Sequence, residues 1–323
     1  MRAMEVRSGA LHEAQLPLPP LAAGELLIRV AYAGVNRADI LQRAGKYPAP
    51  AGASPLPGLE VSGSIAAIGA GVNGWQMGDD VVALLAGGGY AEYVAVPAGQ
   101  VLALPAPLTL QEGAALIEAA ATAVMALDIA QLKSGERLLI HGGTSGLGLM
   151  VIQIARAWGA EVFTTVGSDE KIAFLAPYGV TALNHRTAPF EQQLMTATKN
   201  EGVDVIIDTL GAPYLERHFS LLRRGGRMVS LAMMEGAKAE NLDLRRLLTH
   251  HLQWTGTTLR SRSTPEKSAI IDAVAARVLP HVVSGAIRPI VDSVFPLAEA
   301  EKALARMQER LHLGKILLEV AAK

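Results

Sequence analysis

The sequence predicts an α/β protein in two parts: a small β-rich, barrel-like domain and a doubly wound parallel sheet. Three observations carry this. Residues 1 to 107 hold short aliphatic runs cut by Gly and Pro; beyond Lys133-Ser134-Gly135-Glu136 the pattern becomes strand, turn, helix, repeated; and a tail from Pro265 breaks that rhythm. At 323 residues, 50% hydrophobic and 18% charged, with a mean hydropathy of +0.28, the chain can fill a sizeable core, and its length favours two domains.

In the first part the strand signals fall at 26–32, 61–68, 81–84 and 90–96. Thr109-Leu110-Gln111-Glu112 has the hydroxyl and carboxylate spacing of a capping box and opens an alanine-rich segment ending near Leu132. Its apolar stretch, 113–130, is interrupted by Glu118 and Asp128, short of the ~20 apolar residues of a membrane span, and reads as a buried helix. Six strands follow at 138–141, 161–166, 182–183, 204–208, 227–231 and 253–257, separated by helices at 147–158, 169–178, 190–200, 214–222 and 241–248. That alternation predicts the doubly wound sheet. The tail reads helix, strand near 289–294, helix 297–310 and strand 314–320. It is no seventh strand–helix unit, so it is expected to return to the first domain. The predicted division is 1–117, completed by 265–323, and 118–264.

Composition removes several chemistries. With no cysteine there is no disulfide framework, cysteine zinc site, iron–sulfur cluster or thiolate nucleophile. Twenty-nine basic against 30 acidic residues and 4% aromatics offer little to nucleic acid, which is not expected as a partner; nor is a membrane. Arg2, Glu5, Arg7, His12 and Glu13 precede any apolar run, so no secretory h-region is read and the cytoplasm is the default expectation.

Chemistry concentrates where strand 138–141 runs into Gly142-Gly143-Thr144-Ser145-Gly146-Leu147-Gly148 and a helical period. Such a turn lets backbone N–H groups and a helix N-terminus face a pyrophosphate, with Gly removing the Cβ that would block approach. The glycines fall at 143, 146 and 148, not in the common G-x-G-x-x-G. Alone the turn is weak; at the head of six alternating strands it points to a dinucleotide phosphate held at the turn, which includes Gly143 and Ser145. About 20 residues on, where an NAD enzyme places an acid for the ribose 2′-OH, the chain has Gly167-Ser168. Asp169 and Glu170 read as first-turn helix acids. Lys171 is within reach of a 2′-phosphate, favouring NADPH; otherwise it is an exposed helix lysine.

Separated motifs then occur in a recognisable order: Ala33-Gly34-Val35-Asn36-Arg37-Ala38-Asp39, Gly45-Lys46-Tyr47-Pro48, Pro57-Gly58-Leu59-Glu60-Val61-Ser62-Gly63, Gly78-Asp79-Asp80-Val81-Val82, the glycine turn, Thr257-Thr258-Leu259-Arg260-Ser261-Arg262, and Gly314-Lys315-Ile316. Over essentially its whole length the chain resembles the zinc-free quinone oxidoreductase branch of the medium-chain dehydrogenase/reductase superfamily. Within that zeta-crystallin-like branch, the tumour-suppressor-induced NADPH quinone oxidoreductase subgroup is the most similar. The resemblance implies a GroES-like catalytic domain and a Rossmann domain that binds NADPH. It implies Asn36 and Thr122 near the nicotinamide, Gly146 and Leu147 at the pyrophosphate, Gly167, Lys171 and His185 around the 2′-phosphate, and Leu210 and Leu231 along the cofactor. Many relatives have Tyr where this chain has His185, which reads equally as a surface histidine beside Asn184 and Arg186.

Zinc-dependent cousins carry Cys-His where this chain has Asn36-Arg37, and Gly-His-Glu where it has Gly58-Leu59-Glu60, so no metal is expected. Without a Lewis acid, hydrogen-bond donors must polarise a carbonyl. The candidates are Tyr47, in a loop that the family places over substrate or otherwise a packing aromatic, and Asn36, which reads more readily as holding its own turn or the nicotinamide ribose. Much of the catalysis then reduces to positioning. The expected activity is NADPH-dependent transfer of hydride or electrons to a small-molecule quinone. The alternatives are an enoyl or alkenal reductase acting on an enone, and an NADPH-binding protein with structural or regulatory duties and little turnover. A homodimer is expected through the sheet-terminal strand 253–257, which lacks a protecting lysine or proline.

Overall fold

The computed structural model describes residues 1–240 and 242–320. Asn241, the expected start of helix 241–248, and residues 321–323 of the tail lie outside the described residues. In chain order the strands are β1 (Arg2–Arg7), β2 (Ala10–Gln15), β3 (Glu25–Gly34), β4 (Glu60–Ile68), β5 (Asp80–Leu84), β6 (Tyr93–Pro97), β7 (Val101–Ala103), β8 (Arg137–His141), β9 (Glu161–Val166), β10 (Thr181–Asn184), β11 (Val203–Asp208), β12 (Leu222–Ser230), β13 (Gln253–Gly256), β14 (Val291–Pro296) and β15 (Lys315–Glu319). The chain divides into two compact units, Met1–Ala121 with Leu259–Lys323, and Thr122–Thr258.

The first unit is GroES-like. Its seven-stranded sheet runs β14-β15-β3-β4-β5-β7, with β6 also paired to β3, beside a β1-β2 hairpin. Alternation builds its core: Leu26, Ile28 and Val30 of β3 pack with Val61, Val81 and Ala83, while Ile316 and Leu318 of β15 join them. Between those two, Leu317 packs instead with Ala114 and Ala115. The tail thus enters this sheet, β15 lying antiparallel to β3.

The second unit is a Rossmann sheet of six parallel strands in the order β10-β9-β8-β11-β12-β13. Every residue of β11 is buried, as expected for a strand covered on both faces. Order reverses between β8 and β11, which makes the C-terminal ends of these strands the ligand-binding edge of such sheets. No helix among the described residues is long and apolar enough to cross a membrane.

Several local expectations are corrected. The single buried helix over 113–130 is two helices, Leu110–Gly113 and Ile117–Ile129. The capping box does form at Thr109 and Glu112, but the first helix stops after one turn. There Gly113 is pressed so closely on Leu104 and Val82 that a Cβ would overlap both. Tyr90 precedes its strand, held by backbone bonds with Pro57 and Met4. The hairpin β1-β2, the helix Arg37–Arg43 and β7 carry no clear sequence signal. Of the expected fifth helix, 241–248, the described residues 242–244 are not helical, and the helix runs Arg245–Thr249.

Candidate functional site

In the second unit β8 ends at His141 and the chain turns through Gly142, whose φ of 69° suits glycine. The amides of Gly142 and Gly143 both donate to the Thr165 carbonyl, at 3.1 and 3.2 Å, which ties the turn to β9. A Cβ on Gly143 would collide with the Thr164 side chain, so this close approach requires glycine. Ser145 caps the helix Gly146–Ala157, its hydroxyl accepting from Gly148 N at 3.0 Å. Gly146 and Leu147 therefore occupy a first turn, whose amides have no intrahelical acceptors and favour an anion.

Asp208, at the end of β11, organises the neighbouring turn. Its Oδ1 accepts from Leu210 N at 2.8 Å and Gly211 N at 3.1 Å, its Oδ2 from the Ser230 hydroxyl at 2.8 Å, and its carbonyl from Leu231 N at 2.8 Å. Leu210 and Leu231 are thus brought together around one buried residue. Thr122 is buried on the helix Ile117–Ile129.

At the end of β9, Gly167-Ser168 leads into the helix Asp169–Leu175, with Ser168 Oγ as cap for Lys171 N. Asp169 turns to Asn184, accepting from its amide at 2.7 Å, and Glu170 bonds Ser168. A Cβ on Gly167 would lie 3.5 Å from Arg186 Nε and 3.6 Å from His185 Nε2. Burial, then the charges of Arg186, Arg217 and Lys171, push the His185 imidazole below its usual pKa. The Arg186 and Lys171 cations beside this turn fit a 2′-phosphate. Arg186 was missed as a site residue because nothing in its sequence position separates it from a surface arginine.

The first unit holds a buried polar cluster around Asn36. Lys315 Nζ donates to Asn36 Oδ1 at 2.7 Å and Val35 O at 3.2 Å, and pairs with Glu60 Oε1 at 2.5 Å; Lys315 is 5% exposed and Glu60 fully buried. Asn36 Nδ2 donates to Glu60 Oε1 at 3.1 Å, and Glu60 Oε2 accepts from Glu118 N at 3.0 Å. An ammonium only donates and a carboxylate only accepts, so the Asn36 amide has one permitted orientation. Its backbone N–H is held by Asp39 Oδ2 at 2.7 Å, which also accepts from the Tyr90 hydroxyl at 3.0 Å. Burial raises the Asp39 pKa against these hydrogen bonds and the Lys315 charge.

Tyr47 is half-buried, and Arg260 fixes its loop. Arg260 donates to Tyr47 O at 3.2 Å, Ala86 O at 2.8 Å and Gln42 Oε1 at 2.7 Å, with its guanidinium carbon 5.2 Å from the Tyr47 ring centroid. Desolvation lifts the phenol pKa above its ordinary value, the Arg260 charge opposes this, and Glu118 adds to it. The phenol is therefore protonated, and a donor, throughout the neutral range. The Arg260 anchor lies 218 residues from Gln42, beyond any spacing rule.

The positions of a zinc site in this fold do not fit zinc here. They carry an amide, Leu59 and a glutamate already neutralised by the Lys315 ammonium, which would repel a dication. Among the described residues no group of three or more His, Cys, Asp or Glu could hold a metal ion.

A model of the alcohol dehydrogenase GroES-like domain matches residues 22–106, and one of the zinc-binding dehydrogenase domain matches 146–276. The quinone oxidoreductase of Thermus thermophilus, solved also with NADPH, is 32% identical, with 99% of this chain and 100% of that one covered at a TM-score of 0.83. CurK enoyl reductase is 27% identical, with 99% of each chain covered at a TM-score of 0.86. A mycocerosic acid synthase-like polyketide synthase of Mycobacterium tuberculosis is 30% identical over 306 residues, 93% of this chain, and the chain spans only 14% of that relative's length. A GroES-like unit, a Rossmann sheet in the dinucleotide-binding strand order and identity of this degree along a whole solved relative make this chain a member of the medium-chain dehydrogenase/reductase superfamily of NAD(P)-dependent oxidoreductases.

Proposed function

We propose that the chain is an NADPH-dependent oxidoreductase of the zinc-free quinone oxidoreductase branch, transferring hydride to a quinone. The observation that carries this reading is the gathering of Lys171, His185 and Arg186 about Gly167-Ser168, with Asp169 turned away to Asn184. It favours a phosphate over a ribose hydroxyl. The T. thermophilus quinone oxidoreductase, solved with NADPH, supports both the cofactor and the acceptor.

When bound, NADPH supplies the hydride. Gly143, Ser145, Gly146 and Leu147 would hold the pyrophosphate and Leu210 and Leu231 would line the dinucleotide, while Thr122 and Asn36 would serve the nicotinamide end, as the family resemblance implies. Asn36 is held at both ends of its amide, so its part is positioning and not proton donation. Tyr47, kept protonated by burial and clamped by Arg260, donates to the acceptor oxygen on which negative charge develops.

That same phenol favours a second reading, reduction of an α,β-unsaturated carbonyl, in which Tyr47 donates the proton to the carbon beside the carbonyl. The similarity to CurK enoyl reductase supports it. Steady-state NADPH oxidation with ortho- and para-quinones, set beside product analysis with a simple enone, tests the two. Faster turnover of quinones is expected; a saturated ketone formed efficiently while quinones are inert would replace the first reading with the second. No turnover of either would leave a nucleotide-binding protein.

A further inference from the structure

A buried polar line crosses the ligand edge of the Rossmann sheet, and none of the chemistry above uses its centre. From β9 the Thr165 hydroxyl meets His141 Nδ1 at 2.9 Å; His141 Nε2 meets His218 Nε2 at 2.9 Å; and His218 Nδ1 lies 3.8 Å from Asp208 Oδ1. Beyond Asp208 the line continues to Ser230 and the Trp254 indole N–H, the latter 3.0 Å from the Ser230 hydroxyl. His218, on the helix Leu215–Leu221, is fully buried, and its Nδ1 has no hydrogen-bond partner among the described residues.

Charge fixes the direction of this line. A bare Nδ1 lone pair facing the Asp208 carboxylate would be repelled, so Nδ1 of His218 carries the proton. Its Nε2 is then the acceptor, so His141 donates from Nε2 and accepts the Thr165 hydroxyl at Nδ1. Thr165 also holds the glycine turn through its carbonyl, and Asp208 holds the Leu210 turn through its carboxylate. We infer that His141 and His218 are positioning residues for the nucleotide, locking the glycine turn and the Leu210 turn into one rigid cradle. This rests on the NADPH reading above.

Other ionisable groups face the pair from each neighbouring element. Arg217, on the same helix, stacks over Phe190 at 4.5 Å and Tyr214 at 4.6 Å and pairs with Glu191 of the helix Phe190–Ala197; His185 follows β10. Burial keeps both imidazoles neutral, with His141 well below its usual pKa and His218 at about 4 despite Asp208.

The test is NADPH affinity by titration of the full chain, for wild type, His141→Leu, His218→Leu, the double variant and His218→Asn, together with imidazole 15N shifts of the wild type. An asparagine keeps an N–H for Asp208 but is too short for His141. Each leucine variant is expected to raise the dissociation constant about tenfold, and the double variant no more than the worse single one. His218→Asn should recover part of the loss, with the NADPH KM raised and kcat retained. The 15N shifts should report the Nδ1–H tautomer for His218. An Nε2–H tautomer, additive single effects, or unchanged affinity in every variant would overturn the inference. A wild type that binds no NADPH would overturn the cofactor reading itself, while the tautomer measurement still reports on the line.

Discussion

Replacing Lys315 by methionine removes the cation paired with Glu60 while keeping the aliphatic stem. Glu60 would keep two donors, the Asn36 amide at 3.1 Å and Glu118 N at 3.0 Å, but lose its ammonium at 2.5 Å. With Glu60 fully buried and Lys315 5% exposed, water has little access to screen the orphaned carboxylate. Breaking a buried pair of this kind costs about 3–5 kcal/mol, whereas removing both charges together is often close to neutral. Lys315→Met should therefore lower Tm by about 8 °C, at roughly 2 °C per kcal/mol for a chain of this size. Lys315→Met with Glu60→Gln should regain most of that. Thermal unfolding followed by circular dichroism compares the two. A single variant within about 1 kcal/mol of wild type would refute the claim that the pair is a buried, mutually dependent unit. So would a double variant as unstable as the single.

Lys171→Ala and Arg186→Ala should each raise the NADPH KM roughly tenfold with little effect on NADH, as expected for loss of a cation–phosphate contact; equal use of both cofactors by wild type would defeat this. Tyr47→Phe should lower turnover about tenfold to a thousandfold if the phenol donates to the developing oxyanion, whereas unchanged turnover with a raised KM in Tyr47→Ala would reduce its role to packing. Acid should destabilise the fold through His218: its folded pKa, about 4, lies below the ordinary 6.5, so the unfolded chain binds the extra proton and stability falls from pH 6.5 towards 4. The loss is on the order of 3 kcal/mol, and His218→Asn should flatten that slope in pH-dependent denaturation; an unaltered slope would contradict it. Strand β13 terminates its sheet with all four residues exposed, Trp254 at 40%, so a homodimer joined there is expected by sedimentation at micromolar concentration, and a monomer would exclude it.

The Rossmann sheet was legible because its signals are local: buried strands read as continuous apolar runs, and the glycine turn is a single contiguous segment. Glu161–Val166 matches the expected strand residue for residue. The hairpin β1-β2 was not legible because Arg2, Glu5, Arg7, His12 and Glu13 interleave with its few inward residues. In the site, Ser145 and Lys171 could be named from spacing to the turn and to β9. Arg260, Lys315 and His218 could not be assigned their partners, because those lie 218, 279 and 77 residues away and only the fold brings them together. Composition marks such residues as ordinary charges. Burial gives them their chemistry.

The position of β15 has a consequence for how the chain assembles. This strand lies inside its sheet, between β14 and β3, yet in the chain it follows the whole of Thr122–Thr258. The Rossmann unit is contiguous and can reach its final form as soon as it leaves the ribosome. The GroES-like sheet must wait until β15 is synthesised for the partners of Tyr32, Ala33 and Gly34 on that side, β3 being paired with β4 and β6 elsewhere, and that long loop closure slows the completion of the fold. Lys315 arrives on that same late strand. Until it does, Glu60 and Asn36 have each other but lack the Lys315 ammonium, so the interior that orients Asn36 is completed only after the whole Rossmann unit has been made.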